Sequence, residues 1–395
     1  MNQVLIVGAG PTGATLALLL AKQGITVKLV EASRDFKRTF RGEGLMPSGL
    51  AALEEMGLFP LLENIPHRCL DSWSVIINGR SFFHVNEPLE KGSKPCTLVS
   101  QPHLLNEVVK QASQYPNFQF INGEPVKELL KDERHRVIGV KLSHDREITA
   151  DLTIAADGRN SIIRKQAGLE LKTSSSAIDI LWFKLSAGSL LHSENTFYSI
   201  VQDRSTFGLF RSSEGDLHLG WGLYNDDRDW KKVNWRSSLA AASPDWLAQH
   251  IRDEKTTISQ PLLLSVVVGL CEQWYRPGLL LLGDAVHPMS PIRAQGINMA
   301  LRDAIVASNY LIPHLTTSLD CQALDKTLPQ IQAAREPEIV RIQKLQQAEL
   351  KQAEKLRHSG LLRSLVSQFA PAIGPLVRLS WLRRQKKLRH GIAIR

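Results

Sequence analysis

The sequence predicts an α/β protein in which a mainly parallel sheet with helical crossovers is interrupted by an antiparallel sheet and followed by a helical carboxyl-terminal part. Three observations carry this expectation. Residues 3–31 read as strand, glycine turn, helix, strand. Two further short apolar runs, Leu152–Ala155 and Leu279–Leu282, each end at an acid beside a glycine, as buried parallel strands do where they reach a ligand-facing edge. Between Ile180 and Leu223 lie four alternating, aromatic-rich runs with the period of antiparallel strands. At 395 residues and 43% hydrophobic content, the chain can bury a large core in two closely packed domains.

The first unit is the most specific. Gln3–Val7 is a buried strand, followed by Gly8-Ala9-Gly10-Pro11-Thr12-Gly13, a helix to about Gln23, and a strand Val27–Val30 that ends in Glu31 and Ala32. Gly8 permits the tight turn, Gly10 lets a pyrophosphate approach the backbone, and Gly13 lets helix and strand pack closely. Glu31 is spaced to hydrogen-bond a ribose 2′-hydroxyl. An acid there argues against a 2′-phosphate, which leaves FAD or NAD as the dinucleotide.

Next comes the charged loop Arg34–Leu45, in which Arg41 either neutralises a pyrophosphate or sits on the solvated surface. A helix is expected over Ser48–Met56, and Asp71–Phe83 reads as a hairpin around Asn78-Gly79. Gln101-Pro102 precedes a helix from His103 to Gln114. Phe118–Ile121, Val126–Leu130 and Val137–Leu142 read as a strand meander. The strand Leu152–Ala155 ends in Asp157-Gly158, with Arg159, Ser161 and Arg164 beyond it.

The last signal is LLLLGDAVHPMSPIRAQGIN, from Leu279 to Asn298. Gly283 lets the chain turn and leaves Asp284 at the strand's carboxyl end. Pro288 and Pro291 forbid helix through the next turn, Gly296 relaxes it, and a helix-periodic run extends from Ile297 through Leu311. Such a helix start aims free N–H groups at whatever lies above the strand ends.

Charge and cysteine usage narrow the classes. The net charge is +9, but Lys351–Arg395 holds eleven Lys/Arg against one acid, so the tail carries +10 and the rest about −1. The main body therefore has no nucleic-acid character. Cys69, Cys96, Cys271 and Cys321 lack metal-ligand spacing and suggest neither a metal site nor a disulfide framework, as expected of a cytoplasmic protein. Met1 precedes a short apolar strand, unlike a secretory leader, and no apolar run reaches membrane-spanning length.

The motifs GAGPTG at 8–13, DG with a following Ser and Arg at 157–164, and GDAVHPMSP…QGIN at 283–298, in that order, resemble the single-component FAD-dependent aromatic hydroxylases. This is the para-hydroxybenzoate hydroxylase-like group of flavoprotein monooxygenases, and the resemblance runs from residue 1 to about 310. It implies a Rossmann-like FAD-binding domain of the glutathione-reductase type (GR2) with an inserted antiparallel sheet that roofs the flavin and forms the substrate pocket. FAD-binding segments are expected at 1–75, 101–175 and 276–330, substrate-domain segments at 76–100 and 176–275, and a helical basic tail at 331–395.

By resemblance, the ADP half of FAD falls to Gly8, Gly10, Pro11, Thr12, Gly13, Glu31, Ala32 and Arg41. Gln101, Asp157, Gly158, Gly283 and Asp284 fall along the rest of the cofactor, with Asp284 on the ribityl chain and the Asp157-Gly158 motif associated, by the same resemblance, with both FAD and NADPH. Pro291, Gln295, Gly296, Ile297 and Asn298 fall at the flavin's pyrimidine edge. The implied chemistry is reduction of FAD by NADPH or NADH, then oxygen transfer from a flavin C4a-hydroperoxide to an aromatic, polyketide-like or quinone-precursor molecule.

This chain departs from the pattern by carrying Ala294 where the group usually has glycine, and by placing Arg293 in the loop that faces the substrate. Arg293 either anchors an anionic substrate or has a structural, outward role. His287, although adjacent to the motif, reads as a loop residue, and no catalytic base is named. Phe183, Tyr198, Phe210, Trp221 and Tyr224 are sheet aromatics that either line the pocket or fill the sheet's core. A flavin halogenase is disfavoured because Gly220-Trp221-Gly222 does not match the WxWxIP motif; a non-catalytic flavin scaffold is the remaining alternative. In the tail, helices are expected over Gln322–Ala334 and from Pro337 to Arg357. The basic, apolar end either touches a membrane surface or packs on the domain.

Overall fold

The computed structural model describes residues 3–36, 43–174, 178–224, 229–317 and 320–392. Its six-stranded sheet runs in the order Tyr275–Arg276, Leu279–Leu281, Leu152–Ala155, Gln3–Val7, Thr26–Glu31, Phe118–Asn122, and all neighbours except the first pair are parallel. Val4, Leu5, Ile6, Leu152 and Leu279–Leu282 are fully buried. The near-continuous apolar runs are explained by this burial on both faces. One face is covered by the helices Pro11–Lys22, Gln101–Ala112 and Gln295–Leu315, the other by the three-stranded meander Val126–Lys131, Val137–Leu142, Glu147–Thr149 and its neighbours.

Phe118–Asn122 differs from expectation, because it edges the parallel sheet and leaves the meander to the three strands after it. Asn117 explains the change. Its side-chain amide donates to the carbonyls of Ala21 and Ile25, and its own carbonyl accepts from Val27, which clamps the segment beside Thr26–Glu31.

The second sheet has seven strands in the order Leu262–Leu264, Asp179–Leu185, Leu217–Leu223, Ser205–Arg211, Thr196–Gln202, Ser72–Ile77, Arg80–Asn86. Its last hairpin turns at Asn78 and Gly79 with φ of 49° and 73°, the twin positive angles of a tight turn matched to strand twist. On the outer face, Leu181, Phe183, Leu209 and Leu219 pack on the helices Trp235–Ala241 and Asp245–Arg252. Tyr198 and Trp221 belong to this outer core. On the inner face Trp182, Phe197 and Phe210 join Trp73 and Ala294.

The tail is more continuous than the sequence suggests. A single helix, Cys321–His358, runs through both Pro329 and Pro337. The second proline was expected to start a new helix, but the flanking Arg335 and Glu338 are ion-paired inside the protein and hold the turn in place. Gly360–Gln368 and Ala370–Arg389 follow as helices packed against the seven-stranded sheet. Trp381 is buried with its ring centroid 6.3 Å from that of Trp73 and 5.5 Å from that of Phe83, and Arg389 donates to Glu87 at 2.8 Å.

Candidate cofactor and substrate site

Three turns meet at the carboxyl ends of three adjacent parallel strands. Gly8 has φ of +100°, and a Cβ on it would lie 2.3 Å from the Ala156 carbonyl oxygen and 2.9 Å from the Asp157 Cα. A Cβ on Gly13 would lie 1.9 Å from the Gly8 oxygen, and one on Gly283 (φ +61°) 2.5 Å from Thr12 Oγ1. The glycine loop is therefore in contact with both acid-tipped strand ends, at spacings only glycine allows. Around Gly10, Gly158 and Gly296, by contrast, a Cβ would meet nothing within 4 Å. Gly10 caps the start of the helix Pro11–Lys22, where open backbone is a suitable mouth for a phosphate group, and Gly296 lies in the first turn of Gln295–Leu315.

The acids are held by backbone groups. Glu31, buried, accepts from the N–H of Ala9 and of Ser33, each at 2.9 Å, and so stands beside the glycine loop, with Ala32 exposed next to it. Asp157 Oδ2 accepts from Ile162 N at 2.9 Å, while Oδ1 is buried with no hydrogen-bond partner among the described residues; burial raises this carboxyl's pKa. Asp284 is partly exposed and has no hydrogen bond or ion pair among the described residues. The guanidinium of Arg164 ties the two acid turns together by donating to the carbonyls of Ala285 (2.7 Å) and Arg159 (3.1 Å).

The helix Gln295–Leu315 is stitched to the segment 44–46. Asn298 is fully buried: its Oδ1 accepts from Met46 N at 2.8 Å, and its Nδ2 donates to the carbonyls of Gly44 and Ala294 at 3.0 and 2.7 Å. Its side chain is thus occupied with backbone, and its N–H is what the helix start can offer a ligand. Gln295, also fully buried, donates to the Arg293 carbonyl at 2.9 Å and keeps Oε1 without a hydrogen-bond partner among the described residues. Gln101 is buried in the first turn of its helix, Ile297 is buried, and Pro291 is exposed. Arg41 lies outside the described residues.

His287 and Arg293, both weighed in the sequence, have structural surroundings. His287 Nε2 is 2.7 Å from Asp303 Oδ2, both side chains being buried. Asp303 also accepts from Gly283 N (3.0 Å) and Arg335 Nε (2.7 Å); against burial, which pushes its carboxyl up, His287 and Arg335 hold it down at about 2. Arg335 and Arg302 share Glu338, which further accepts from Ile392 N at 2.8 Å. The acid turn is in this way locked to the tail. Arg293, at φ +59°, lies over the rings of Trp73 and Trp381 (5.2 and 5.1 Å) and pairs with Glu349 at 3.3 Å, a carboxylate also held by Arg384. It is largely shielded from solvent by these partners on the tail helices, and the outward orientation is not observed.

A pair absent from the sequence reading stands on the inner face. His218 Nδ1 is 3.4 Å from Glu43 Oε1, both largely shielded from solvent. Burial, then Glu214, pushes the Glu43 carboxyl up to about 8, and burial, then Lys184, drops His218 to about 3. No motif signals either residue: Glu43 sits in a charged loop, and the strand Leu217–Leu223 gives no sign of which face His218 occupies.

A family model described as FAD binding domain matches residues 1–337. The 6-methylpretetramide 4-monooxygenase of Streptomyces rimosus is 32% identical over 359 residues, which cover 87% of this chain and 82% of that protein. The ubiquinone hydroxylase UbiM of Neisseria meningitidis is 27% identical over 333 residues, covering 79% and 68%. Among solved structures, P. aeruginosa PqsL in complex with 2-aminobenzoylacetate superposes with a TM-score of 0.78 at 22% identity, over 93% of this chain and 99% of that one. For p-nitrophenol 4-monooxygenase PnpA from Pseudomonas putida the TM-score is 0.76 at 18% identity, with 99% of both chains covered. These two likenesses are likenesses of fold.

Proposed function

The chain belongs to the FAD-binding-domain family and is an FAD-dependent monooxygenase, and we propose from that premise that it uses NADPH or NADH and O₂ to hydroxylate an aromatic, polyketide-like or quinone-precursor molecule. The observation that carries the cofactor assignment is the contact of the three motif turns at adjacent strand ends, with open backbone at Gly10, Gly158 and Gly296. The residues present fit FAD: glycine spacing for a pyrophosphate, a buried acid at the second strand end, and oxygens on Asp157 and Gln295 with no hydrogen-bond partner among the described residues.

In this reading Gly8, Gly10, Pro11, Thr12 and Gly13 receive the pyrophosphate, together with Arg41 by resemblance, and Glu31 and Ala32 stand at the adenosine ribose. Gln101, Asp157, Gly158, Gly283 and Asp284 follow the chain of the cofactor to its ring. Pro291, Gln295, Gly296, Ile297 and Asn298 close on the pyrimidine edge. The bound flavin would supply hydride acceptance from the nicotinamide and the activation of O₂. The protein's own part is to present N–H groups and a positive helix end where negative charge gathers, and to keep water out with the inner-face aromatics. The division into FAD-binding segments at 1–75, 101–175 and 276–330, with the sheet segments between them, belongs to the same proposal.

The substrate class follows the activities of the two relatives named above. Lipophilic substrates also suit the tail. Leu361, Leu365, Phe369, Leu376 and Leu379 are 82, 52, 53, 69 and 52% exposed. The sequence carries no acid after Glu354, and Arg378, Arg383, Lys386 and Lys387 are exposed beside these apolar residues. Such a surface supports peripheral contact of a cytoplasmic enzyme with anionic lipid. No helix among the described residues is long and apolar enough to cross a membrane.

The decisive experiment is purification followed by a visible spectrum, then NADPH and NADH oxidation with and without phenols, polyketide phenols and quinone precursors. Flavin absorption with substrate-stimulated oxidation and a hydroxylated product is expected. A colourless protein that takes up no added FAD refutes the reading, and FAD binding without stimulated turnover leaves only a flavoprotein scaffold.

A further inference from the structure

The turn that leads into the helix Gln295–Leu315 is made without glycine. Arg293 and Ala294 have φ of 59° and 49°, and no other two consecutive non-glycine residues among the described residues share the left-handed region. A side chain with a Cβ is disfavoured there, so such a pair persists only where the surrounding structure fixes it. Ala294 is also the N-cap of the helix, and its carbonyl accepts from Asn298 Nδ2 at 2.7 Å. A displacement of the turn therefore displaces the helix start.

The groups that fix the turn come from the tail. Along the helix Cys321–His358, Gln343, Gln346 and Glu349 recur every three residues and all reach the loop before the turn. Gln346 Nε2 donates to the carbonyls of Ser290 and Ile292 at 2.8 and 2.7 Å, and Gln343 Nε2 to that of Pro288 at 3.3 Å. Glu349 accepts from Arg293 Nη2 at 3.3 Å and from Arg384, on the last helix, at 2.8 Å.

The Arg293 guanidinium lies 5.2 Å from the ring centroid of Trp73 and 5.1 Å from that of Trp381, and its Nε is buried with no hydrogen-bond partner among the described residues. Its recorded contacts are thus with Trp73 and with two tail residues, and none is with the glycine loop or the acid turns. Whatever Arg293 does for the cofactor site, it does through its own backbone, whose carbonyl accepts from Gln295 Nε2 at 2.9 Å.

We propose that Arg293 is a positioning residue: anchored on Glu349 and Trp381, it holds the left-handed turn at 293–294 and so keeps the free N–H groups of Gln295, Gly296 and Ile297 at the flavin's pyrimidine edge. This rests on the reading in which that helix start meets the flavin. Two side chains of the tail thereby become part of the cofactor's support. A positive helix end at the pyrimidine edge favours the negative charge that the ring gains on reduction. Release of the turn consequently makes bound FAD harder to reduce.

The test equilibrates the full-length FAD-loaded protein with a redox dye of known potential, without oxygen or substrate. FAD content is measured first, and a wild type that holds no FAD refutes the cofactor reading and not the coupling alone. Arg293→Ala and Arg293→Gly lose the same tail contacts and the same charge, but glycine takes a positive φ at no steric cost. Arg293→Ala is expected to shift the two-electron equilibrium at least tenfold towards oxidised flavin, about 30 mV. Arg293→Gly should shift it less than about threefold, because the turn survives without its anchor. A smaller shift in Arg293→Ala overturns the proposal. So does a larger one in Arg293→Gly, which would assign the effect to the lost charge or to a loosened tail. Should Arg293→Ala fail to fold or to hold FAD, Glu349→Gln replaces it: a shift of about threefold or more in the same direction is expected, and a smaller one overturns the proposal.

Discussion

Asp303 offers a quantitative check on how the acid turn is held. It lies at zero exposure with His287, Arg335 and the Gly283 N–H on its oxygens. Replacing it by Asn keeps the shape and removes the charge, so Arg335 keeps Glu338 as its carboxylate partner but loses the charge of Asp303, and the Gly283 turn is held by a weaker acceptor. Breaking one partner of a buried pair costs about 3–5 kcal/mol. With an unfolding entropy of about 2.1 cal/mol/K per residue over 395 residues, that is a fall in Tm of about 4–6 °C. The pH dependence has a definite sign. A carboxyl held at about 2, below its ordinary 3.8, contributes stability above pH 3.8 and loses it as pH falls through about 2. The gap in Tm between wild type and Asp303→Asn should therefore be constant from pH 8 to pH 5 and narrow between pH 4 and pH 2, by roughly 2 kcal/mol for the shift itself. Scanning calorimetry of the apo proteins reads both quantities. A Tm change under 1 °C, or a gap that widens in acid, would refute the account of this network.

Gly10→Ala and Gly13→Ala should fail in different ways. The first adds a Cβ into open space and should leave apo Tm within about 2 °C while lowering FAD affinity at least tenfold; the second drives a Cβ to 1.9 Å from Gly8 O and should lower stability and flavin content together. Calorimetry and fluorescence titration with FAD separate the two. Arg293→Ala removes the Glu349 pair and both tryptophan contacts, and should cost about 2–4 kcal/mol and speed tryptic cleavage at the basic residues of the last two helices, such as Arg378 and Arg383. Thiol titration of native protein at pH 8 should modify Cys69 and spare Cys96, whose thiol burial pushes up to about 12. The double change Leu376→Ser, Leu379→Ser should reduce sedimentation with anionic lipid vesicles without altering flavin content.

The parallel sheet was legible because its signals are local. Glycine at 8, 10 and 13 and acids at 157 and 284 are demanded by turns a few residues long, and the structure places them at neighbouring strand ends. The antiparallel strands were legible as strands, but their faces were not. Phe183 and Trp182 are adjacent in sequence, and only the strand partners decide that the first meets the outer helices and the second the inner face. His218 and Glu43 were hidden for the same reason, since they meet across 175 residues. Pro337 misled because proline's local penalty was outweighed by ion pairs to Asp303 and Arg302, which lie in another helix.

The ion network has a consequence for how the protein matures. Ile392 binds Glu338 and Arg302, and Gly391 is pressed so closely on both that a Cβ would lie 2.3 Å from the Arg302 guanidinium carbon. During synthesis these residues leave the ribosome after every strand of both sheets. Until they dock, Glu338 lacks one of its donors and the brace behind Gly283 is incomplete. A nascent chain can therefore close its glycine loop early, but the brace behind Gly283 is finished only once residues 391 and 392 have docked, long after the turn it supports has been made.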